Sequence, residues 1–175
     1  MTVDAATAAS AFASSWQHLV GGMPGWARRE GGVLAAMSGV ALPNCNGVWA
    51  EQVNPDPDLV EALLSQVDAA GLPYCLQLRP GSSSALTDLP IARRLMPRAQ
   101  VPLMVLEAPD ALEAAQLVDG LEIRQLAPEA AHEHATILSG GAKWAWLQSS
   151  RDGYSVYARL GFETVERWSS WFSRS

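Results

Sequence analysis

The chain has little cysteine, no excess of basic residues and no long apolar run. Only two cysteines occur in 175 residues, Cys45 and Cys75. They lie far apart and form no C-x-x-C pair, which excludes a disulfide framework or a zinc spacing and fits free thiols in a reducing cytoplasm. Twelve Lys and Arg stand against eighteen Asp and Glu, a net charge of −6. That balance argues against a nucleic-acid partner, which favours a basic face, and against docking on an anionic membrane. No apolar stretch approaches a membrane span, and the Ala/Ser/Thr-rich start has neither a basic n-region nor an apolar h-region, so no signal peptide is expected. The G-x-S-x-G nucleophile motif is also missing. What is present is apolar content of 49%, with charged residues at 17% and seven tryptophans, enough for a compact domain with a real core.

Periodicity then divides the chain. Phe12, Trp16, Leu19 and Val20 recur at helical spacing over 5–20, and Gly21-Gly22 ends that helix. Short extended runs at 26–30, 33–38 and 47–53 are separated by Gly31-Gly32 and by Pro43-Asn44-Cys45-Asn46, which predicts an antiparallel meander. Leu59, Leu63 and Val67 mark a helix over 59–70 with Gly71 after it. A strand at 73–78, a helix over about 84–96 behind a serine cluster, and a strand at 102–107 follow. A connector spans 109–119. Beyond it the spacing predicts a strand at 121–126, a helix at 128–138, a strand at 143–148, a helix at 154–160 and a long strand at 162–172. The order over 59–107 matches the order over 127–172. That is either a weak internal repeat or the ordinary alternation of an α/β chain.

Few residues announce chemistry on their own. His132 and His134 stand two apart on an expected helix and point in different directions, so a shared metal ion is not expected. His18 is isolated and reads as partly buried. Trp144 and Trp146 share one face of their strand, and Trp168 and Trp171 sit on the last strand. They read as core or interface, with a substrate cage as the lesser alternative; if that face is uncovered they form a partner surface, with a homodimer as the expectation.

The stretch 142–168 carries a family resemblance. Leu147-Gln148-Ser149-Ser150, Gly153-Tyr154, Val156-Tyr157 and Leu160-Gly161-Phe162 resemble the strand, polar turn, tyrosine-bearing helix and Leu-Gly-Phe strand start of GNAT acetyltransferases. Gly31-Gly32-Val33, Asn46-Gly47-Val48, Arg79-Pro80-Gly81 and Leu103-Met104-Val105-Leu106-Glu107 resemble the first half of a two-half GNAT protein. The resemblance implies an α/β fold, a GNAT-like mixed central sheet flanked by helices with a partial second GNAT repeat. It implies a degenerate GNAT-like domain over 1–108 and a C-terminal GNAT fragment over 120–175. It further implies acetyl-CoA as cofactor near Gln148, Ser149 and Ser150, a small-molecule or peptide amine as acceptor, and Tyr157, with Tyr154 as second choice, beside the departing sulfur.

One requirement of that family is harder to meet here. A Gly-rich loop at a helix start normally grips the acetyl-CoA diphosphate with free backbone amides. Ahead of the helix at 59 stand Pro55, Asp56, Pro57 and Asp58. Two prolines remove donors and two carboxylates repel phosphate. Ahead of the helix at 128 stand Pro128 and Glu129. The Gly81-Ser82-Ser83-Ser84 turn beside Arg79 reads as a plain helix cap, with an anion site as the lesser alternative. Two function classes therefore remain: an acetyl-CoA-dependent N-acetyltransferase, and a catalytically silent GNAT-like binding or dimerisation module.

Overall fold

The computed structural model describes residues 2–107 and 143–174. Helix α1 (Ala5–Gly21) opens the chain. Its N-cap Asp4 accepts a hydrogen bond from the Thr7 amide at 2.7 Å, which satisfies an end donor that the helix itself leaves free. Its buried side is Ala8, Ala9, Phe12, Ala13 and Val20. Three alanines on that side let the helix axis lie close to the sheet, and Phe12 supplies the bulk.

Strands β1 (Trp26–Glu30), β2 (Val33–Met37) and β3 (Asn46–Ala50) form the expected antiparallel meander. Gly31 and Gly32, at φ +54° and +76°, make the two-residue β1–β2 turn, a geometry that matches strand twist and excludes most side chains. The β2–β3 loop includes a 3-10 turn (Pro43–Cys45) and is held by the fully buried Asn46. The Asn46 carboxamide oxygen accepts from the Ser38 amide and hydroxyl, and its NH2 donates to the carbonyls of Val40, Leu42 and Pro73. A buried amide is stable only when its groups are used in this way.

Helix α2 (Pro57–Asp68) then carries the chain to β4 (Cys75–Leu78), which lies parallel to β3. Gly47 permits that approach, since a Cβ there would meet the Cys75 carbonyl oxygen at 2.2 Å. Helix α3 (Ser84–Ala92) is shorter than its apolar pattern predicts. Pro90 lies inside it and Arg94 turns left-handed at φ 55°, which frees Met96 and Pro97 to form the short β5 against the end of the last strand. Strands β6 (Val101–Glu107) and β7 (Trp144–Gln148), helix α4 (Tyr154–Arg159) and β8 (Glu163–Phe172) complete the described elements. The expected strand at 121–126 and helix at 128–138, with His132 and His134, fall outside the described residues.

The sheet runs β1-β2-β3-β4-β8-β6-β7. The last strand therefore lies between β4 and β6, antiparallel to both, and strands from 26–107 and from 144–172 share one mixed sheet. Period-two alternation sorts the side chains onto two faces. Val33, Ala35, Val48, Leu76 and Leu78 pack against Val60, Leu63, Leu64 and Val67 of α2 and Leu86 of α3. Leu34, Ala36, Trp49, Leu103, Val105 and Trp168 pack against α1. The expected mixed sheet with flanking helices is the observed architecture.

Candidate functional site

In an open sheet a ligand crevice forms beyond the carboxyl ends of parallel strands. Here that position lies beyond Ala50 of β3 and Leu78 of β4, at the start of α2. It is filled by the protein's own groups. The Asp56 carboxylate caps α2 and accepts from the Asp58 amide at 3.0 Å, with Pro57 at the first helical position. Arg79, just past β4, sets two guanidinium nitrogens on Glu166 of β8 at 2.8 and 3.1 Å and a third on the Glu51 carbonyl at 2.9 Å. The Trp168 indole N–H donates to the same Glu166 carboxylate at 2.7 Å. The serine turn adds two more ties: Ser82 Oγ lies 2.9 Å from the Val53 carbonyl, and the Ser83 amide donates to Asn54 Oδ1 at 2.8 Å. With Arg79 on Glu166 and the Ser83 amide on Asn54, that turn is a structural brace.

A second place is built differently. On the α1 face a cleft of about 760 Å³ opens between α1, the N-terminal end of β6 and the C-terminal ends of β7 and β8. Its walls are aromatic. Trp16 and Trp49 stack with centroids 5.5 Å apart, and Phe12 stands edge-on to Trp146 at 5.3 Å. Phe172 closes one side, with the Arg98 guanidinium over its ring at 5.0 Å. The floor is polar: Gln77 and Ser170, directly opposed across β4 and β8, and Gln148, whose Nε2 donates to Gln77 Oε1 at 2.8 Å. Ser170 is 2% exposed, and its hydroxyl has no hydrogen-bond partner among the described residues. A buried hydroxyl without a partner costs free energy, so it is the kind of atom that a bound molecule completes.

Gln148, Ser149 and Ser150 all line this cleft. Tyr154 and Tyr157 do not. The Tyr154 hydroxyl meets Thr164 Oγ1 at 3.3 Å under the Arg167 guanidinium, and Tyr157 packs edge-on to Phe162 at 5.8 Å. The structure thus brings the polar turn to the cleft and leaves both tyrosines against β8 and its entry. Trp144 and Trp146 are half-buried under the α1 cluster. His18 is exposed, not partly buried, because it lies on the outer side of α1. Cys75 is fully buried, and burial pushes its thiol well above the usual range, so it is not a nucleophile.

Sequence reasoning missed Gln77, Arg98, Ser170 and the pairing of Trp16 with Trp49. One signal was available. Gln77 is a polar residue inside the otherwise apolar run Cys75-Leu76-Gln77-Leu78 of a central strand.

No protein-family model matches the chain, and no curated protein matches it in sequence. Among solved structures it is similar to a GCN5-related N-acetyltransferase from Kribbella flavida. The TM-score is 0.62 at 14% identity, over 95% of this chain and 96% of that one. The chain has the GNAT fold. At that identity the likeness speaks for the architecture, and the GNAT fold here carries a carboxylate-capped helix start on one side and an aromatic cleft on the other. Among the described residues no helix is long and apolar enough to cross a membrane, and no group of His, Cys, Asp and Glu is arranged to hold a metal ion.

Proposed function

We propose that this protein is a catalytically silent GNAT-fold module that binds a small molecule in the α1-face cleft. The observation that carries the reading is the start of α2. A coenzyme diphosphate needs bare amides there, and the residues present do not fit it. Pro55 and Pro57 have no N–H, Asp56 already accepts from the Asp58 amide, and Arg79 spans the strand ends from Glu51 to Glu166. The cleft has the size and the mix of apolar wall and few polar groups typical of small-molecule sites.

A second reading has its own support. Gln148, Ser149 and Ser150 line the cleft, and they are the residues for which the GNAT resemblance implies contact with acetyl-CoA. In that reading the protein acetylates a small-molecule or peptide amine with Tyr157, or Tyr154, near the reacting centre. Calorimetry with acetyl-CoA separates the two. We expect no heat of binding at about 1 mM coenzyme. Micromolar binding would reject the silent reading, and turnover lost in Tyr157→Phe would then give that tyrosine its role. A homodimer and a cytoplasmic setting belong to the proposal. The first is checked by mass measurement in solution and the second by fractionation of cells producing the full chain.

A further inference from the structure

We infer that the α1-face cleft selects a flat, conjugated small molecule bearing an anionic head, carboxylate or phosphate. The inference rests on the binding-module reading above and adds the chemical class of the ligand. Three observations point the same way.

The first is charge. The chain carries −6 overall, yet among the described residues the ionisable side chains lining this cleft are two arginines, Arg98 and Arg151, with no carboxylate, lysine or histidine. Both are exposed at the mouth, and neither is in an ion pair among the described residues. Elsewhere Arg28, Arg29, Arg79 and Arg93 are ion-paired, with Glu30, Glu51, Glu166 and Glu61, whereas Arg94, Arg159, Arg167 and Arg174 are in no ion pair among the described residues; what marks the cleft is two arginines with no carboxylate beside them in its described lining. An aromatic cage that captures a cation would carry a carboxylate or leave its ring faces clear of positive charge. Here a guanidinium already covers Phe172.

The second is shape. Half-buried Trp16 and Trp146 line the cavity, backed by buried Trp49 stacked on Trp16 and by Phe172 under the Arg98 guanidinium. Rigid π-surfaces favour a flat conjugated body by offset or edge contacts.

The third is the orphaned hydroxyl. Ser170 Oγ, buried and without a partner among the described residues, lies on the cleft floor opposite Gln77. The Arg98 amide donates to the Ser170 carbonyl at 2.9 Å, which ties the floor to one of the two arginines. A ligand whose head lies between the arginines can place a polar ring atom or substituent on Ser170.

The test is a charge series on one flat body: 2-naphthoate, 2-naphthyl phosphate, 2-naphthalenemethanol and 2-naphthylmethylammonium, each titrated into the full chain by calorimetry at low salt. The two anions should bind about tenfold tighter than the alcohol, and the ammonium should bind weakest. Phosphate ahead of carboxylate, or the reverse, identifies the head group. Adding salt should narrow the preference, since the arginines are exposed. The double variant Arg98→Gln, Arg151→Gln should abolish the preference while leaving alcohol affinity within about twofold. Ser170→Ala should weaken binding by about threefold to tenfold, yet raise the melting temperature of the free protein by about 2–4 °C, because it removes an unpartnered buried hydroxyl. Equal or tighter binding of the ammonium would overturn the anionic assignment while leaving the cleft as a binding site. No binding of any probe at about 1 mM would overturn the assignment, and micromolar acetyl-CoA binding would separately overturn the silent reading.

Discussion

The start of α2 and the cleft under α1 are both polar spots on one sheet, and they are finished to different degrees. Around the start of α2 most of the strong groups are used, the exposed Asp58 carboxylate aside. The Asp56 carboxylate, the Arg79 fork, Glu166 and the Ser83 amide each have a partner inside the chain. Among the described residues, Ser170 in the cleft has none, and two arginines stand at the mouth without counter-charges. A polar region that satisfies itself braces the fold, whereas one that leaves a buried hydroxyl without a protein partner has a hydrogen bond still to offer a bound molecule. The GNAT architecture by itself would direct attention to the first region. The hydrogen bonds direct it to the second.

The most severe way to break this contrast is to cut the brace. Arg79 and Glu166 side chains are 8% and 10% exposed, so removing one leaves the other buried and unpaired. Arg79→Ala should destabilise the protein by about 3–5 kcal/mol, read as a fall in the urea midpoint. It also strips a donor from the Glu51 carbonyl, loosening β3 from β4 at their ends. A loss below about 1 kcal/mol would mean that water replaces the fork easily and that the strand ends are not closed by it.

A milder change asks how the helix start is blocked. Asp56→Ala deletes the carboxylate cap and should cost about 1 kcal/mol. Acetyl-CoA binding should not appear in this variant, because Pro55 and Pro57 still offer no N–H. Coenzyme binding gained by that single change would show that the carboxylate alone kept diphosphate away, and the closed and open regions would then differ by one side chain.

How far the sequence made this visible depends on the range of the interaction. Local devices were legible. Gly31-Gly32 marks the β1–β2 turn, the four-residue spacing of Leu59, Leu63 and Val67 marks α2, and Pro55-Asp56-Pro57 shows a helix start unfit for phosphate. Non-local partners were not. Nothing in Val165 or Trp168 tells that β8 enters between β4 and β6, because strand pairing across ninety residues leaves only weak traces in a single sequence. For the same reason Arg79 reads as a free cation beside serines until its partner, Glu166, is brought within 2.8 Å. The polar turn Gln148-Ser149-Ser150 was found by resemblance. The rest of the cleft was hidden because Phe12, Trp49, Gln77 and Ser170 come from four separate elements, and each alone reads as a core or surface residue of its own element.

The smallest expected effect sharpens the contrast through pH. Glu61 of α2 accepts from Arg93 Nε and Nη2 at 3.0 and 2.6 Å, and those hydrogen bonds hold its carboxyl below the usual 4.5. Asp4 is likewise lowered, by the Thr7 amide. A carboxyl depressed by folding contributes stability that is fully present above its unfolded value and lost as pH falls through the folded one. The window therefore lies below about pH 4.5. Glu61 is 46% exposed, so solvent screening keeps its share under about 1 kcal/mol. Glu61→Gln should lower stability slightly at neutral pH, and wild type and variant should converge in acid, where Glu61 is protonated in both states. Added salt should shrink the neutral-pH difference in the same way. Among the described residues the cleft is lined by no carboxylate or histidine, so affinity for the uncharged 2-naphthalenemethanol should stay flat across that window while the α2–α3 contact weakens. A Glu61→Gln difference that persists unchanged into acid would assign Glu61 a packing role, and the self-satisfied region would then owe its stability to shape instead of charge.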